Sequence, residues 1–236
     1  MEQIARTIRT RQRVLGGTGI VGIVVLMVGD ALTPAGTDQH VTTVPAGLKE
    51  LDAAAAHPAL VYLAFVCVIL GFFGFAAGFL GLSSLVRERG ARAATIGAAI
   101  GAFACFSAAV VNVWSGLDVY AALKADMSRQ AAAAFLVSAQ HTSAVSAVFS
   151  IGYFAGLAIG SIVMGVALWR SRVVARWVGI VLPVSLIVAA GSPSGIPGTV
   201  LAVPFAALMV WLCLTVVRRA SEAPETAPAP TLQPAL

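Results

Sequence analysis

Residues 58–92 read PALVYLAFVCVILGFFGFAAGFLGLSSLVRERGAR. From Pro58 to Leu85 no side chain carries a charge; then Arg87, Arg89 and Arg92 arrive close together. An uncharged apolar run longer than the roughly 18–20 residues needed to cross a bilayer predicts a membrane-spanning helix. Lys and Arg beside a span are retained in the cytoplasm during insertion, so the arginines predict which end stays inside.

Working outward, five further apolar runs cover about 14–31, 94–117, 145–169, 177–190 and 199–217, the fifth shorter than the rest. The expected fold class is all-α: a polytopic transmembrane helical bundle with six spans. With six spans, Arg6, Arg9, Arg11 and Arg13, Arg87, Arg89 and Arg92, Arg170, Arg172 and Arg176, and Arg218 and Arg219 all fall on one side. Only Lys49, Lys124 and Arg129 fall on the other. The basic side is therefore expected to be cytoplasmic, with both the N- and C-termini there. The expected organisation is a basic cytoplasmic segment over 1–13, a six-helix transmembrane domain over 14–217 and a disordered Pro/Ala-rich cytoplasmic tail over 218–236. A second reading of the first run is a cleaved signal peptide with Gly29 and Ala31 at the cleavage site. The spacing of Gly16, Gly19 and Gly22 suits a packed, retained helix instead.

Composition points the same way. The 236 residues are 59% hydrophobic and only 11% charged, against about a quarter charged in an ordinary soluble domain. The net charge of +5 sits beside apolar runs. It is explained by topology and lipid headgroups, and nucleic acid is not expected as a partner. The expected partner is the lipid bilayer, and the expected location is the plasma (inner) membrane, crossed several times. Cys67, Cys105 and Cys213 lie far apart inside apolar runs and form no CxxC motif, which reads as packing filler rather than redox chemistry.

Two outer segments are longer than the inner turns. Residues 34–57 contain a helix-like stretch from Gly47 to Ala56. Residues 118–144 are Ala-rich, with Asp126 or Ser128 as N-cap. Each suits an amphipathic helix on the outer interface or a capping lid. A faint repeat at an offset of 84 residues pairs His57 with His141, Phe65 with Phe149, Arg92 with Arg176 and Ile96 with Ile180, in the same orientation, as in transporters built from parallel repeats.

Lipid tails are as apolar as Leu, so close backbone contact at small residues holds spans together. Gly152, Gly156 and Gly160 form a double GxxxG on span four; they suit either packing within the chain or a homodimer face. Gly74 and Gly78, and Gly97 and Gly101, mark spans two and three. Pro183 and Pro204 lie inside spans five and six and each removes a backbone donor. Span five runs into Gly191-Ser192-Pro193-Ser194-Gly195-Ile196-Pro197-Gly198. A short span interrupted by Gly and Pro points to a binding site, and such a run also makes a tight outer turn.

Several catalytic classes lack their motifs. There is no HExxH and no GxxxxGK[ST]. The GxSG serine with a later histidine of a rhomboid-like protease is missing, as is the GxGD of an intramembrane aspartyl protease. No charge sits at the centre of a span, which weighs against an ion-coupled pump. The polar residues at membrane depth gather towards the outer end: Asp30 ends span one, Asn112 and Asp118 lie near the end of span three, His57 starts span two and His141 precedes span four. We expect Asp30, His57, Asn112, Asp118 and His141 to line one outward polar vestibule, with Asn112 deep enough to need a partner. His57 and His141 are the pair that would suit a metal or haem iron. No HxxxH or HxH spacing supports this, and no cofactor and no catalytic residue is assigned.

The Gly-rich first span, long outer loop, Arg-rich inner turns and outer His141 before span four together resemble bacterial six-span integral membrane families of unknown function. The resemblance is one of layout over most of the chain and implies no site residues. Two functions follow. The leading one is a non-enzymatic protein that binds or passes a small apolar or amphipathic molecule, or serves as a membrane partner subunit. The alternative is an outer-face enzyme or redox protein acting on a lipid or quinone, with His57, His141, Asp30 or Asp118 as acid, base or ligand.

Overall fold

The computed structural model describes residues 2–33, 41–87, 89–142, 144–192 and 195–222. Among them the regular structure is entirely helical: α1 (Glu2–Leu32), α2 (Val44–Ala56), α3 (Pro58–Ser83), α4 (Ala91–Lys124), α5 (Arg129–Thr142), α6 (Ala144–Ser171), α7 (Arg176–Ala190) and α8 (Ile196–Glu222). Five of these, α1, α3, α4, α6 and α8, are long and apolar enough to cross a membrane, and α7 is a shorter apolar helix of 15 residues. The chain is thus an α-helical, membrane-embedded protein. Most of the expected tail, and His40 in the first outer segment, lie outside the described residues.

The helices overrun the apolar runs where local sequence favours it. α1 already begins at Glu2, because its arginine-rich first turns are good helix formers. α4 continues past Leu117 to Lys124, since its last turns bury Val119 and Ala122. The Thr43 hydroxyl caps α2 by accepting from the Ala46 N–H at 3.4 Å, with Pro45 in the first turn. Ser128 caps α5, accepting from the Ala131 N–H at 3.2 Å. Between α3 and α4 the chain reverses at Gly90, whose φ of +95° is left-handed and suits glycine.

The five long apolar helices and α7 form a closed ring. Each packs on the next in the order α1, α3, α4, α6, α7, α8, and α8 returns to α1. Small residues set the closest crossings. Along α1 and α3, Gly19 meets Gly78, Gly22 meets Gly74, Leu26 meets Gly71 and Gly29 meets Val68. A methyl group on Gly22 would lie 2.5 Å from the Gly74 carbonyl carbon and 2.7 Å from the Phe75 nitrogen. Gly16 closes on Val217 and Cys213 of α8, so the first helix is a packed member of the bundle. Gly152, Gly156 and Gly160 face Ser107, Ala104 and Gly101 of α4; these glycines thus serve packing within the chain. Pro183 leaves the Gly179 carbonyl without its usual donor, and that oxygen abuts Gly165 of α6.

α2 and α5 pack on one another outside the ring. With Val61 of α3 and Val119 and Ala122 of α4 they enclose a second small core around Val41, Leu51, Ala54, Ala133 and Leu136. The two outer segments therefore form one cap rather than two separate interfacial helices. The 84-residue offset recurs in the helix starts. Shifted by 84, the starts of α2, α3 and α4 fall within two residues of those of α5, α6 and α7. The copies part company at their ends, because α4 has 34 residues and α7 only 15.

The basic clusters share one end of the bundle. Gln12 of α1, Arg87 and Arg89 after α3, Ser171 at the end of α6, Val173 after it, and Arg219 of α8 surround one cavity there. The Arg219 guanidinium donates to the Val173 carbonyl at 2.9 Å, tying α8 to the turn before α7. In that turn Arg172 holds a left-handed φ of +54°, which costs a non-glycine residue roughly 1–2 kcal/mol.

Candidate functional site

Large side chains fill the ring near the basic end, where Phe79, Leu82, Met164, Leu168, Met209 and Leu212 are all fully buried. Towards the other end the filling stops and a cavity of about 280 Å³ remains between α1, α3, α6, α7 and α8. Along α1 its wall runs from Ile23 to Asp30, two helical turns or about 10 Å of axial rise.

The walls are mainly aromatic and aliphatic. Phe75 and Phe205 meet edge-on in the wall with ring centres 5.5 Å apart, and Phe72 meets Tyr153 edge-on at 5.8 Å. Such edge-to-face pairs fix ring orientation, so the apolar surface is preformed. Polar groups are few: the Asp30 carboxyl, the Tyr153 hydroxyl and the Ser192 hydroxyl. Ser192 Oγ donates to the Ala189 carbonyl at 2.6 Å and has no proton left to offer.

Asp30 is positioned by the turn between α7 and α8. Thr199 Oγ1 lies 2.7 Å from Asp30 Oδ2 and 3.1 Å from the Gly195 carbonyl. A hydroxyl has one proton, and the shorter contact to the carboxyl oxygen takes it. The Gly195 backbone also approaches the Asp30 carboxyl. Gly195 has a φ of +85°, a conformation that glycine adopts freely. Ser192 and Gly195, two residues of the Gly-rich run after span five, therefore stand beside this cavity.

Of the five residues expected to share a vestibule, Asp30 lines this cavity and His57, Asn112 and Asp118 do not. His57 is exposed at the α2–α3 junction, where its backbone N–H donates to Ala53 and its carbonyl accepts from Leu60 and Val61. Asn112 is buried and satisfied by its own helix, its side-chain amide donating to the Ala108 carbonyl at 2.9 Å. Asp118 is half-buried two turns before the end of α4. Its Oδ2 is enclosed and has no hydrogen-bond partner among the described residues. The His141 side chain lies outside the described residues. Among the described residues no three His, Cys, Asp or Glu side chains come together as a metal-holding group.

Sequence reading missed Tyr153, Thr199 and the aromatic pair Phe75 and Phe205. The available signal was Tyr153, a phenol well inside an apolar span, where its hydroxyl needs a use. Chemically, the cavity offers a snug apolar slot that ends on one anchored carboxyl and one phenol. That arrangement suits a molecule with an apolar body and a polar head.

No protein-family model, no curated protein and no solved structure matches this chain.

Proposed function

We propose that the chain is a six-span protein of a bacterial inner membrane, with both termini in the cytoplasm, that binds or passes a small amphipathic molecule through the cavity below Asp30. The observation that carries the reading is the cavity itself, a half-open, mainly apolar space whose few polar groups include the Asp30 carboxyl and the Tyr153 hydroxyl. Its 280 Å³ lies at the lower edge of the roughly 300–1,000 Å³ of small-molecule sites. The occupant is therefore small, its apolar part against Phe72, Phe75 and Phe205 and its head at Asp30 and Tyr153.

Six crossings are supported by where α7 begins and ends. It starts just past Ser171 and Val173 in the basic-end cavity, and Ser192 just beyond it lines the Asp30 cavity. Its 15 residues rise about 22 Å, short of the roughly 30 Å hydrocarbon layer. The turns on either side make up the difference. Placing the arginine end inside follows from the retention of basic residues during insertion.

The test is to fill the cavity. Ala206, on its wall, is changed to Phe, and small molecules released from purified wild type and variant are compared by mass spectrometry. The expected result is a small amphiphile bound to wild type and lost from Ala206→Phe, with Asp30→Asn weakening the retention of molecules with polar heads. Equal content in wild type and in a well-folded Ala206→Phe protein would overturn the reading.

A further inference from the structure

The cavity at the basic end serves no step in that reading. It measures about 390 Å³ and gathers side chains from four separate stretches of chain. Arg87 and Arg89 come from the turn after α3, Arg219 from α8 and Gln12 from α1, with Ser84 and Ser171 between them. Leu85 and Val216, both buried, supply its apolar floor.

We propose that this cavity is a binding site for a phosphate group, carried by an anionic lipid headgroup or by a soluble phosphate ester.

Arg87, Arg89 and Arg219 are exposed side chains that border one space, and like charges gathered around a recess raise the positive potential that draws an anion into it. Among the described residues no carboxylate pairs with Arg87, Arg89 or Arg219. Glu88 stands between the first two in sequence and is outside the described residues. Arg219 is not a loose surface charge, since one of its N–H groups holds the Val173 carbonyl at 2.9 Å and sets the position of the remaining donors.

Gln12 adds an independent argument. It is only 8% exposed, it lines the cavity, and among the described residues no hydrogen bond engages its amide. Its amide atoms are not sealed away but open onto the cavity, so they can donate directly to an occupant that carries acceptor oxygens. The two serines cannot fill that role as donors, because Ser84 Oγ donates to the Gly81 carbonyl at 2.6 Å and Ser171 Oγ to the Leu168 carbonyl at 3.0 Å. The donors left facing the space are guanidinium and amide N–H groups arriving from several directions. A tetrahedral phosphate presents acceptor oxygens in those directions, whereas a planar carboxylate meets one guanidinium fork edge-on. The apolar floor beside the arginines suits the glycerol and first acyl carbons of a lipid. Basic recesses between spans on the cytoplasmic side are where anionic headgroups settle.

The rival explanation is that these arginines act only as topology signals and bind anions no better than any basic surface. Variants of the full chain separate the two. Arg87→Gln/Arg89→Gln removes two lining charges. Arg11→Gln/Arg13→Gln removes two exposed charges from the same end that do not line the cavity. Affinity is measured in neutral detergent by native mass spectrometry for phosphatidylglycerol, phosphatidylcholine and glycerol 3-phosphate. Each basic contact to an anionic lipid is worth about 1 kcal/mol, so the lining pair should weaken phosphatidylglycerol binding by about tenfold or more. The control pair should weaken it less than about threefold. Gln12→Leu, which leaves the charge unchanged, should also weaken binding several-fold. Preference for phosphatidylglycerol over glycerol 3-phosphate identifies a lipid as the phosphate source. Equal affinity, with the same dependence on Arg87 and Arg89, identifies a soluble phosphate ester. Equal losses in the two pairs, no loss in either, or equal binding of phosphatidylcholine would overturn the proposal. Unchanged binding in Gln12→Leu would overturn it as well.

Discussion

Replacing Gly22 with alanine tests how tightly α1 and α3 are joined. The added methyl would meet only backbone: the Gly74 carbonyl carbon at 2.5 Å and the Phe75 nitrogen at 2.7 Å. Ordinary carbon contacts lie at roughly 3.5–4.0 Å, so the helices must part by about 1 Å. No side chain can rotate away to relieve this, and the neighbouring crossings at Gly19, Gly71 and Gly29 open with it. Overpacking of this kind costs roughly 1–3 kcal/mol. Gly17, on the same helix, has nothing within 4 Å of the same position. Gly17→Ala should therefore gain the roughly 0.5–1 kcal/mol by which alanine exceeds glycine in a helix. The two variants, identical in chemistry, should differ by about 2–4 kcal/mol. Unfolding in mixed micelles of rising dodecyl sulfate content, followed by tryptophan fluorescence, measures the difference. If the two variants agree to within about 0.5 kcal/mol, the tight crossing is not what holds these helices.

Thr199→Val should lower stability by about 1.5–3 kcal/mol in the same assay, because it removes a hydrogen bond to a carboxyl group; in an Asp30→Asn background the loss should shrink, and an unchanged loss would mean the two side chains are not coupled. In the cap, Leu136→Ala should cost about 2–5 kcal/mol and speed hydrogen exchange in α2 and α5, as the side chain is fully buried. Breaking the exposed Arg129–Asp52 pair, 3.1 Å apart, by Arg129→Ala should cost less than about 1 kcal/mol; the reverse ranking would disprove the cap's apolar basis. A reporter that matures only outside the cytoplasm should be active when inserted after Ala125 and inactive when fused after Glu222, and the opposite pattern would invert the topology.

The long uncharged runs announced the helices because no charged or polar interruption offers any other use for them. Their ends were less legible. The run over 94–117 stops at Leu117, yet α4 goes on to Lys124, because Val119 and Ala122 bury themselves against α2 and α5, a tertiary contact that hydropathy does not encode. Ser128 was readable as a cap because its role is local. Asp30 was legible as a polar residue at the end of an apolar run, but its partner comes from a distant part of the chain: Thr199 is 169 positions away. Asn112 is a different case. Its depth called for something to satisfy the amide, and its own helix supplies an acceptor four residues back. The cavity depends on which helices become neighbours, and the crossing of Phe72 with Tyr153 leaves no trace in either segment's own pattern.

The closed ring also has a consequence for synthesis. As the chain emerges, each new helix finds its partner already in the membrane: α3 docks on α1, α4 on α3, α6 on α4 and α7 on α6. The face of α1 that carries Gly16 must wait for Cys213 and Val217 of α8, made long after α1. Until α8 arrives, the bundle is an open arc, Asp30 lacks Thr199, and the space beneath it is a cleft facing lipid. At about 5–20 residues per second, that open interval lasts some ten seconds or more, long enough for a lipid or a chaperone to occupy the gap. Sealing of the ring, and with it the closing of the cavity wall, therefore depends on α8 and comes long after α1 and α3 have met.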